Sequence, residues 1–118
     1  PILVVKNDGT RQAFDVSKIK RGIIKACEKR PVPIEKIDAL ADDITKKLYN
    51  SMVQEVSSKQ IGEMVMEGLK ELDEVAYVRY ASVYRSFKDI SSFMRELQQM
   101  MEYKAEEEQK GERHPEKG

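Results

Sequence analysis

The sequence has few of the residue types that metal sites and disulfide-rich domains require. It contains one cysteine, Cys27, one histidine, His114, and no tryptophan. One cysteine cannot form a disulfide within the chain, and these two residues are too few for the usual four-ligand zinc site. No metal site is therefore expected. A single thiol also fits a reducing, cytoplasmic setting.

Long apolar runs and an excess charge of one sign are missing as well. No run approaches the roughly 20 residues of a membrane-spanning helix, and no signal peptide is recognisable. Lysine and arginine total 21, as do aspartate and glutamate. The resulting net charge of zero argues against a domain dedicated to nucleic acid. However, residues 1–31 carry eight bases and three acids, a net charge of +5, which predicts a local anionic ligand there.

Recognisable catalytic groups are also lacking. No nucleophile and base stand at a readable spacing, and the acids at 35, 38, 42 and 43 fit a solvated helix face. Neither a P-loop nor a G-x-G-x-x-G motif occurs, so neither standard phosphate-binding loop is available. The sequence therefore predicts no catalytic residues and a protein that is not an enzyme.

What is present predicts a mainly helical α+β fold that opens with a β-hairpin. Residues 3–6 are apolar and β-branched, Asn7, Asp8 and Gly9 form a turn signal, and residues 12–14 return as a second strand. Asp15 is a suitable N-cap for the helix that follows. Apolar residues at helical spacing then continue through Cys27, which we expect to be buried, and Pro31 and Pro33 are expected to end this helix.

Further helices are predicted at 34–49, after Ser57 or Ser58, after Asp73, and at 89–103. A short third strand at 53–56 could pair with the hairpin. The chain from residue 104 is polar and is expected to be frayed or disordered. The inward-facing residues predicted for the first three of these helices are Ile34, Ile37, Leu40, Ala41, Ile44, Leu48, Ile61, Met64, Val65, Gly68, Leu69, Leu72, Ala76, Tyr80, Val83, Tyr84 and Phe87.

The first helix carries Lys18, Lys20 and Arg21 in its opening turns. Cations there oppose the helix dipole, at a cost of roughly 0.3–1 kcal/mol each. An anion held between Lys6, Lys18 and the helix N-terminus would offset that cost, which favours a phosphate site. A solvated basic face that pairs with acids elsewhere explains the same residues.

Tyr77, Tyr80, Tyr84 and Phe87 form an aromatic stripe near helical spacing. This stripe suits either a hydrophobic core or a platform for adenine or a partner helix. Arg79 and Arg85 on the same helix are predicted to be exposed and able to pair with acids of a neighbouring subunit.

Two longer motifs carry a family resemblance. The run from Val4 to Gly9, followed by Phe14-Asp15, Lys18-Ile19 and Gly22-Ile23-Ile24-Lys25-Ala26-Cys27, resembles the ATP-cone, a nucleotide-binding regulatory domain of ribonucleotide reductases. Residues 73–87, DEVAYVRYASVYRSF, are similar to the signature of the NrdR family, the bacterial repressors of ribonucleotide reductase operons. The resemblance covers about residues 2–97.

This resemblance implies a short sheet packed on a four-helix bundle, with an extra C-terminal helix. It also implies ATP or dATP, with magnesium, as the ligand. By position, the backbone around Val4 would meet adenine, and Lys6 and Lys18 would bind phosphates. The remaining implied residues border the nucleotide: Gln12, Phe14, Ile19 and, at its rim, Ser58. Asn7 is a departure, because the family usually has Lys or Arg there; Arg11 is a possible substitute.

A second departure is that this chain lacks the zinc ribbon through which the repressors read DNA. The sequence therefore predicts an ATP-cone at 1–97 and a helix end with a polar tail at 98–118. The expected function is an ATP- or dATP-sensing regulatory domain of an NrdR-like repressor, assembling through cone–cone contacts without a membrane. Two alternatives stay open, a detached cone of a ribonucleotide reductase and a ligand-free helical interaction module that uses residues 93–101.

Overall fold

A computed structural model describes residues 1–85 and 89–113, with side chains described as far as residue 111. The predicted α+β, mainly helical fold is confirmed. The elements in chain order are β1 (Leu3–Val5), β2 (Arg11–Ala13), α1 (Val16–Ala26), α2 (Ile34–Asn50), β3 (Glu55–Ser57), α3 (Ser58–Leu72), α4 (Glu74–Tyr84) and α5 (Ile90–Arg113). They fall into two compact units, residues 1–85 and residues 86–118.

The three strands form one small sheet in the order β2-β1-β3. β1 and β2 are antiparallel, with Val4 opposite Gln12, and β3 runs parallel to β1 on its other side. The hairpin closes through the Lys6 N–H, which donates to the Thr10 carbonyl at 2.8 Å. Gly9 has φ +87°, the left-handed conformation that glycine adopts at little cost. The predicted third strand therefore exists, two residues later than expected at its start, and the returning strand begins one residue earlier.

Helix starts follow the predicted caps. The Asp15 carboxylate accepts a hydrogen bond from the Ser17 N–H at 3.0 Å, and the Asp73 carboxylate accepts one from the Ala76 N–H at 3.0 Å. At α3 the cap is Ser57, whose hydroxyl accepts from the Gln60 N–H while the Gln60 side chain accepts from the Ser57 N–H. This reciprocal pair satisfies two backbone donors at once and fixes the start of α3 directly after β3.

Helices α1 to α4 surround the core of the first unit. Helix α1 packs against α2 and α4, and α3 packs against the same two helices. The most deeply buried side chains are Ile23, Ala41, Ile44, Val65, Leu69, Ala76, Tyr77 and Ala81. α2 and α3 meet closely at Gly68, where an added Cβ would overlap the Leu40 side chain. Cys27 is buried, as predicted.

Several predicted boundaries and burials were wrong. α1 ends at Ala26, ahead of Pro31 and Pro33, because the Cys27 N–H bonds back to carbonyls of the last turn and Lys29 then adopts φ +60°. Ile34 is about half exposed, because it is the first residue of α2 and projects beyond the contact with α1.

The far ends of α4 and α5 also differ from expectation. Val83 and Tyr84 are 77% and 57% exposed, because the final turn of α4 projects beyond the core. α5 continues ten residues past the predicted end at 103, since residues 104–113 are rich in good helix formers. Phe87 and His114 lie outside the described residues. The domain division at residue 97 stays a prediction.

Within residues 1–85 and 89–113, no helix is both long and apolar enough to cross a membrane. The same part of the chain holds no group of three or more side chains arranged to bind a metal ion.

Candidate functional site

The centre of the sheet brings together three of the predicted site residues. Val4 lies between Gln12 on β2 and Val56 on β3, and directly paired residues project from the same face of a sheet. Val56 is buried, whereas Gln12 is exposed. The Lys18 ammonium, in the first turn of α1, donates to the Gln12 side-chain oxygen at 3.1 Å. The α1 cation is therefore positioned over the Val4 face of the sheet.

A second group of predicted residues lies at the hairpin end of the sheet. Lys6 and Asn7 belong to the turn and are exposed. Ser58 begins α3 directly after Ser57, which pairs with Val5, so it lies at this same end. The N–H groups of the first helical residues have no intrahelical acceptor. A helix N-terminus thus accompanies Lys6 at the hairpin end.

The remaining two predicted residues lie elsewhere. Phe14 follows β2 at the open end of the sheet, and its ring contacts the Tyr49 ring edge-on at 6.4 Å between centroids. Ile19 is buried in the core at 9% exposure. Tyr49 was missed as a neighbour of Phe14, because the two are 35 positions apart and Tyr49 lies in the last turn of α2, whose sequence pattern gives no sign of this contact.

Arg11 does not substitute for the missing cation at position 7. Its guanidinium forms an ion pair with Glu55 at 2.7 Å, and strand alternation puts it on the face opposite Gln12. The hydrogen bond to Glu55 also raises the pKa of Arg11. The cation pair available to an anion on the Val4 side is therefore Lys6 and Lys18.

The two helix N-termini differ in what they offer an anion. At α1 the Asp15 carboxylate already sits on the terminus, where the hydrogen bonds from the Ser17 hydroxyl and N–H hold its pKa below the usual value. At α3 the cap is the neutral Ser57, and Lys59 is the second helical residue. Because like charges repel, an anion is better accommodated at α3 than at the first terminus. The predicted phosphate position between Lys6, Lys18 and the α1 terminus stays a prediction, and the α3 terminus is a second candidate.

The aromatic stripe divides between core and surface. Tyr77 is buried, and the rings of Tyr80 and Tyr84 stack with centroids 4.1 Å apart. Burial, together with the neighbouring Tyr84, raises the pKa of Tyr80. Among the stripe residues that the structure describes, Tyr77 and Tyr80 belong to the hydrophobic core and the Tyr84 ring is left to contact a ligand or partner.

Arg79 of α4 and Arg85, which caps its C-terminus, both have partners within the chain, and Arg79 is exposed as predicted. Their pairing with acids of a neighbouring subunit stays a prediction. Arg79 donates to the carbonyl oxygens of Ala26 and Glu28 at 3.1 and 2.7 Å. Arg85 forms an ion pair with Glu63 at 2.6 Å. Both side chains therefore brace α4 against α1 and α3.

Comparison with known proteins identifies the fold. The ATP cone domain family matches residues 2–90. The chain is 58% identical over 110 residues to the transcriptional repressor NrdR of Caldanaerobacter subterraneus subsp. tengcongensis, covering 93% of this chain and 70% of that protein. Identity to NrdR of Caldicellulosiruptor saccharolyticus is 59% over 106 residues, covering 90% and 69%. NrdR of Acetivibrio thermocellus is 60% identical over 104 residues, covering 88% and 69%.

These matches cover the sheet and helices α1 to α4, which hold every residue of the candidate site. The relatives are named transcriptional repressors, in keeping with the expectation of a regulator rather than an enzyme. The chain belongs to the NrdR family of transcriptional repressors and contains an ATP-cone domain.

Proposed function

We propose that this chain is the nucleotide-sensing part of an NrdR-type repressor of ribonucleotide reductase genes, with ATP or dATP as the ligand. The observation that carries the proposal is the contact of Lys18 with Gln12 beside Val4, within the stretch matched by the ATP-cone family. Adenine would lie along the backbone around Val4, bordered by Gln12.

The charges of the site suit a triphosphate. Lys6 and Lys18 are both exposed, and neither forms an ion pair with another residue that the structure describes. A bound polyphosphate would supply the counter-charge that the basic front of the chain lacks. The N-terminus of α3, with Ser58 at its start, adds backbone donors at the hairpin end. Asn7 brings no charge of its own, so binding depends more heavily on the two lysines.

Magnesium would enter with the nucleotide. It prefers phosphate oxygens and retained waters over a site made of protein groups alone. This preference is compatible with the lack of a cluster of metal ligands among the described residues. The protein side chains then need only to bind the phosphates, and ligand affinity should fall when magnesium is removed.

Nucleotide occupancy would regulate by changing how copies of the chain assemble. A ligand shifts such an equilibrium only if it binds one assembly more tightly than another. ATP and dATP must therefore favour different assemblies, which would change the spacing of attached DNA-binding modules. DNA contact would be made through a zinc ribbon, as in the family resemblance, and not through this chain.

Two other functions are weaker alternatives. A detached cone of a ribonucleotide reductase is disfavoured, because the relatives compared above are named repressors and match about nine-tenths of the chain. A ligand-free interaction module uses the exposed apolar residues of α5 but leaves the juxtaposition of Lys18, Gln12 and Val4 without a role.

Thermal unfolding with ATP, dATP, GTP or no ligand, with magnesium and with a chelator, tests the proposal. Ligand at about a hundredfold over its dissociation constant adds roughly 2.7 kcal/mol, enough to raise the midpoint by several degrees. Both adenine nucleotides should raise the midpoint and GTP should not. Equal midpoints in all conditions would refute nucleotide sensing and favour the interaction module.

Sedimentation of the same samples tests the second half of the proposal. The distribution of assemblies should differ between ATP and dATP. Binding of both nucleotides with identical distributions would leave the site in place and rule out regulation through assembly.

A further inference from the structure

The surface of the first unit has a groove between α1 and α4. It encloses about 410 Å³. Its lining combines apolar or aromatic groups with cations, including Gly22, Lys25, Lys29, Tyr80, Val83 and Tyr84. Val83 and Tyr84 form its exposed apolar and aromatic rim. No function described above uses this groove.

The lining of the groove also carries a net positive charge. Lys25 and Lys29 are exposed, and neither has an ion-pair partner among the side chains described in residues 1–85 and 89–111. Arg79, also in the lining, is engaged with the Ala26 and Glu28 carbonyls. Glu28 is the one acid in the lining. An occupant with apolar side chains followed by a carboxylate would match this arrangement.

Helix α5 has that composition. Ile90, Met94 and Met101 are spaced four and seven residues apart, so they lie on one side of the helix. Their side chains are 77%, 61% and 63% exposed. Glu108 follows Met101 by seven residues and continues the same side.

This acid is available for contact. Glu107 pairs with Lys110 at 3.8 Å, but Glu108 has no ion-pair partner among the described side chains. The apolar side of α5 therefore ends in the unpaired carboxylate of Glu108. The α1/α4 groove places unpaired ammonium groups beside an apolar rim, so the two surfaces are complementary in both charge and polarity.

We propose that α5 of one copy of this chain docks in the α1/α4 groove of another copy. The inference rests on the self-assembly proposed above and names the surfaces that produce it. Because the two surfaces differ, the contact is head-to-tail. Every copy offers both, and assembly continues into a ring or a longer oligomer instead of stopping at a symmetric pair.

Charge reversal in the full chain tests this contact by sedimentation velocity. One variant carries Lys25→Glu and Lys29→Glu, and a second carries Glu108→Lys. Each variant alone should self-associate roughly tenfold or more weakly than wild type, since like charges facing each other across an interface cost several kcal/mol. An equimolar mixture should recover association, because one variant's groove is then acidic and the other's α5 is basic.

A third variant carries Lys36→Glu and Lys46→Glu on α2, outside the groove. It changes the net charge of the chain by the same amount as the first variant does. It should associate like wild type. All exchanged positions are exposed, so each variant is expected to fold, which its thermal midpoint checks. The proposal would be overturned if the groove variant or the α5 variant alone associated as fully as wild type, or if the mixture did not recover association. It would also be overturned if wild type stayed monomeric with and without nucleotide.

The nucleotide site is measured separately. The rise in midpoint with ATP should be the same in the Lys25/Lys29 variant as in wild type, since neither lysine belongs to the Val4 face. Loss of association with the ATP response retained separates the docking surface from the nucleotide site. An absent ATP response in wild type would count against nucleotide sensing while the charge-exchange test of docking still stands.

Discussion

Arg30 and Asp73 form a two-pronged ion pair across 43 positions of sequence. The Arg30 Nε lies 2.9 Å from Asp73 Oδ2, and Nη2 lies 3.0 Å from Oδ1. The Asp73 side chain is 9% exposed and also accepts the capping hydrogen bond from Ala76. One carboxylate therefore ties the α1–α2 connection to the junction between α3 and α4.

Replacing Asp73 should be among the more costly single changes outside the core. Asp73→Ala removes the α4 cap and leaves Arg30 unpaired, with an expected loss of about 1–3 kcal/mol in the free energy of unfolding. Urea unfolding measures it. Glu55→Ala, which breaks the exposed pair with Arg11, is the matched control and should leave the midpoint nearly unchanged. An equally small effect of Asp73→Ala would contradict the assigned role.

The same pair predicts a loss of stability in acid. Its hydrogen bonds to Arg30 hold the pKa of Asp73 below the ordinary value of 3.8. The folded state thus binds fewer protons than the unfolded state near that pH. The contribution of the Asp73 carboxylate to the free energy of unfolding is fully present above the pKa that Asp73 has in the unfolded chain. It disappears as pH falls through the lower pKa of the folded state. The stability difference between wild type and Asp73→Asn should shrink below pH 3.8. A difference independent of pH there would rule this out.

Gly68 and Gly62 make opposite predictions within one helix. Gly68→Ala would force its Cβ into Leu40, whose Cγ would lie 3.1 Å away, so a loss of about 1–3 kcal/mol is expected. Gly62→Ala has nothing within 4 Å of the new Cβ and should gain about 0.5–1 kcal/mol. The pair is compared by denaturant unfolding. Adding Leu40→Ala should reduce the cost of Gly68→Ala, and simple additivity would argue against the contact.

Cys27 should react slowly with thiol reagents. Burial raises the pKa of its thiol, which lowers the fraction of reactive thiolate. We expect labelling by an aromatic disulfide to be much slower in native buffer than in denaturant. Rapid labelling of the folded protein would contradict the buried position.

Local features of this fold could be predicted from the sequence, and contacts between distant residues could not. Asp15 and Asp73 were identified as caps, because a cap depends on a few neighbouring residues. The hairpin turn at Gly9 was equally local. The partners of Arg79 lie about 50 positions away, so nothing beside Arg79 in the sequence indicates that it bonds to Ala26 and Glu28.

Periodicity gave the inward side of each helix without showing where the core ends. Val83 and Tyr84 continue the apolar pattern of α4 but project past the helices that cover its earlier turns. For the site, motif resemblance named the residues. Strand register then placed Gln12 on the Val4 face and Arg11 on the other, a distinction that needs the pairing of β1 with β2.

The most direct test of nucleotide sensing is calorimetric titration of ATP into wild type and into Lys18→Ala, with Lys46→Ala as an exposed control on α2. Wild type and the control should bind with equal affinity. Lys18→Ala should bind roughly tenfold or more weakly, since a charge-assisted hydrogen bond contributes about 1.5–3 kcal/mol. Unchanged affinity in Lys18→Ala would contradict the placement of the nucleotide over the Val4 face of the sheet.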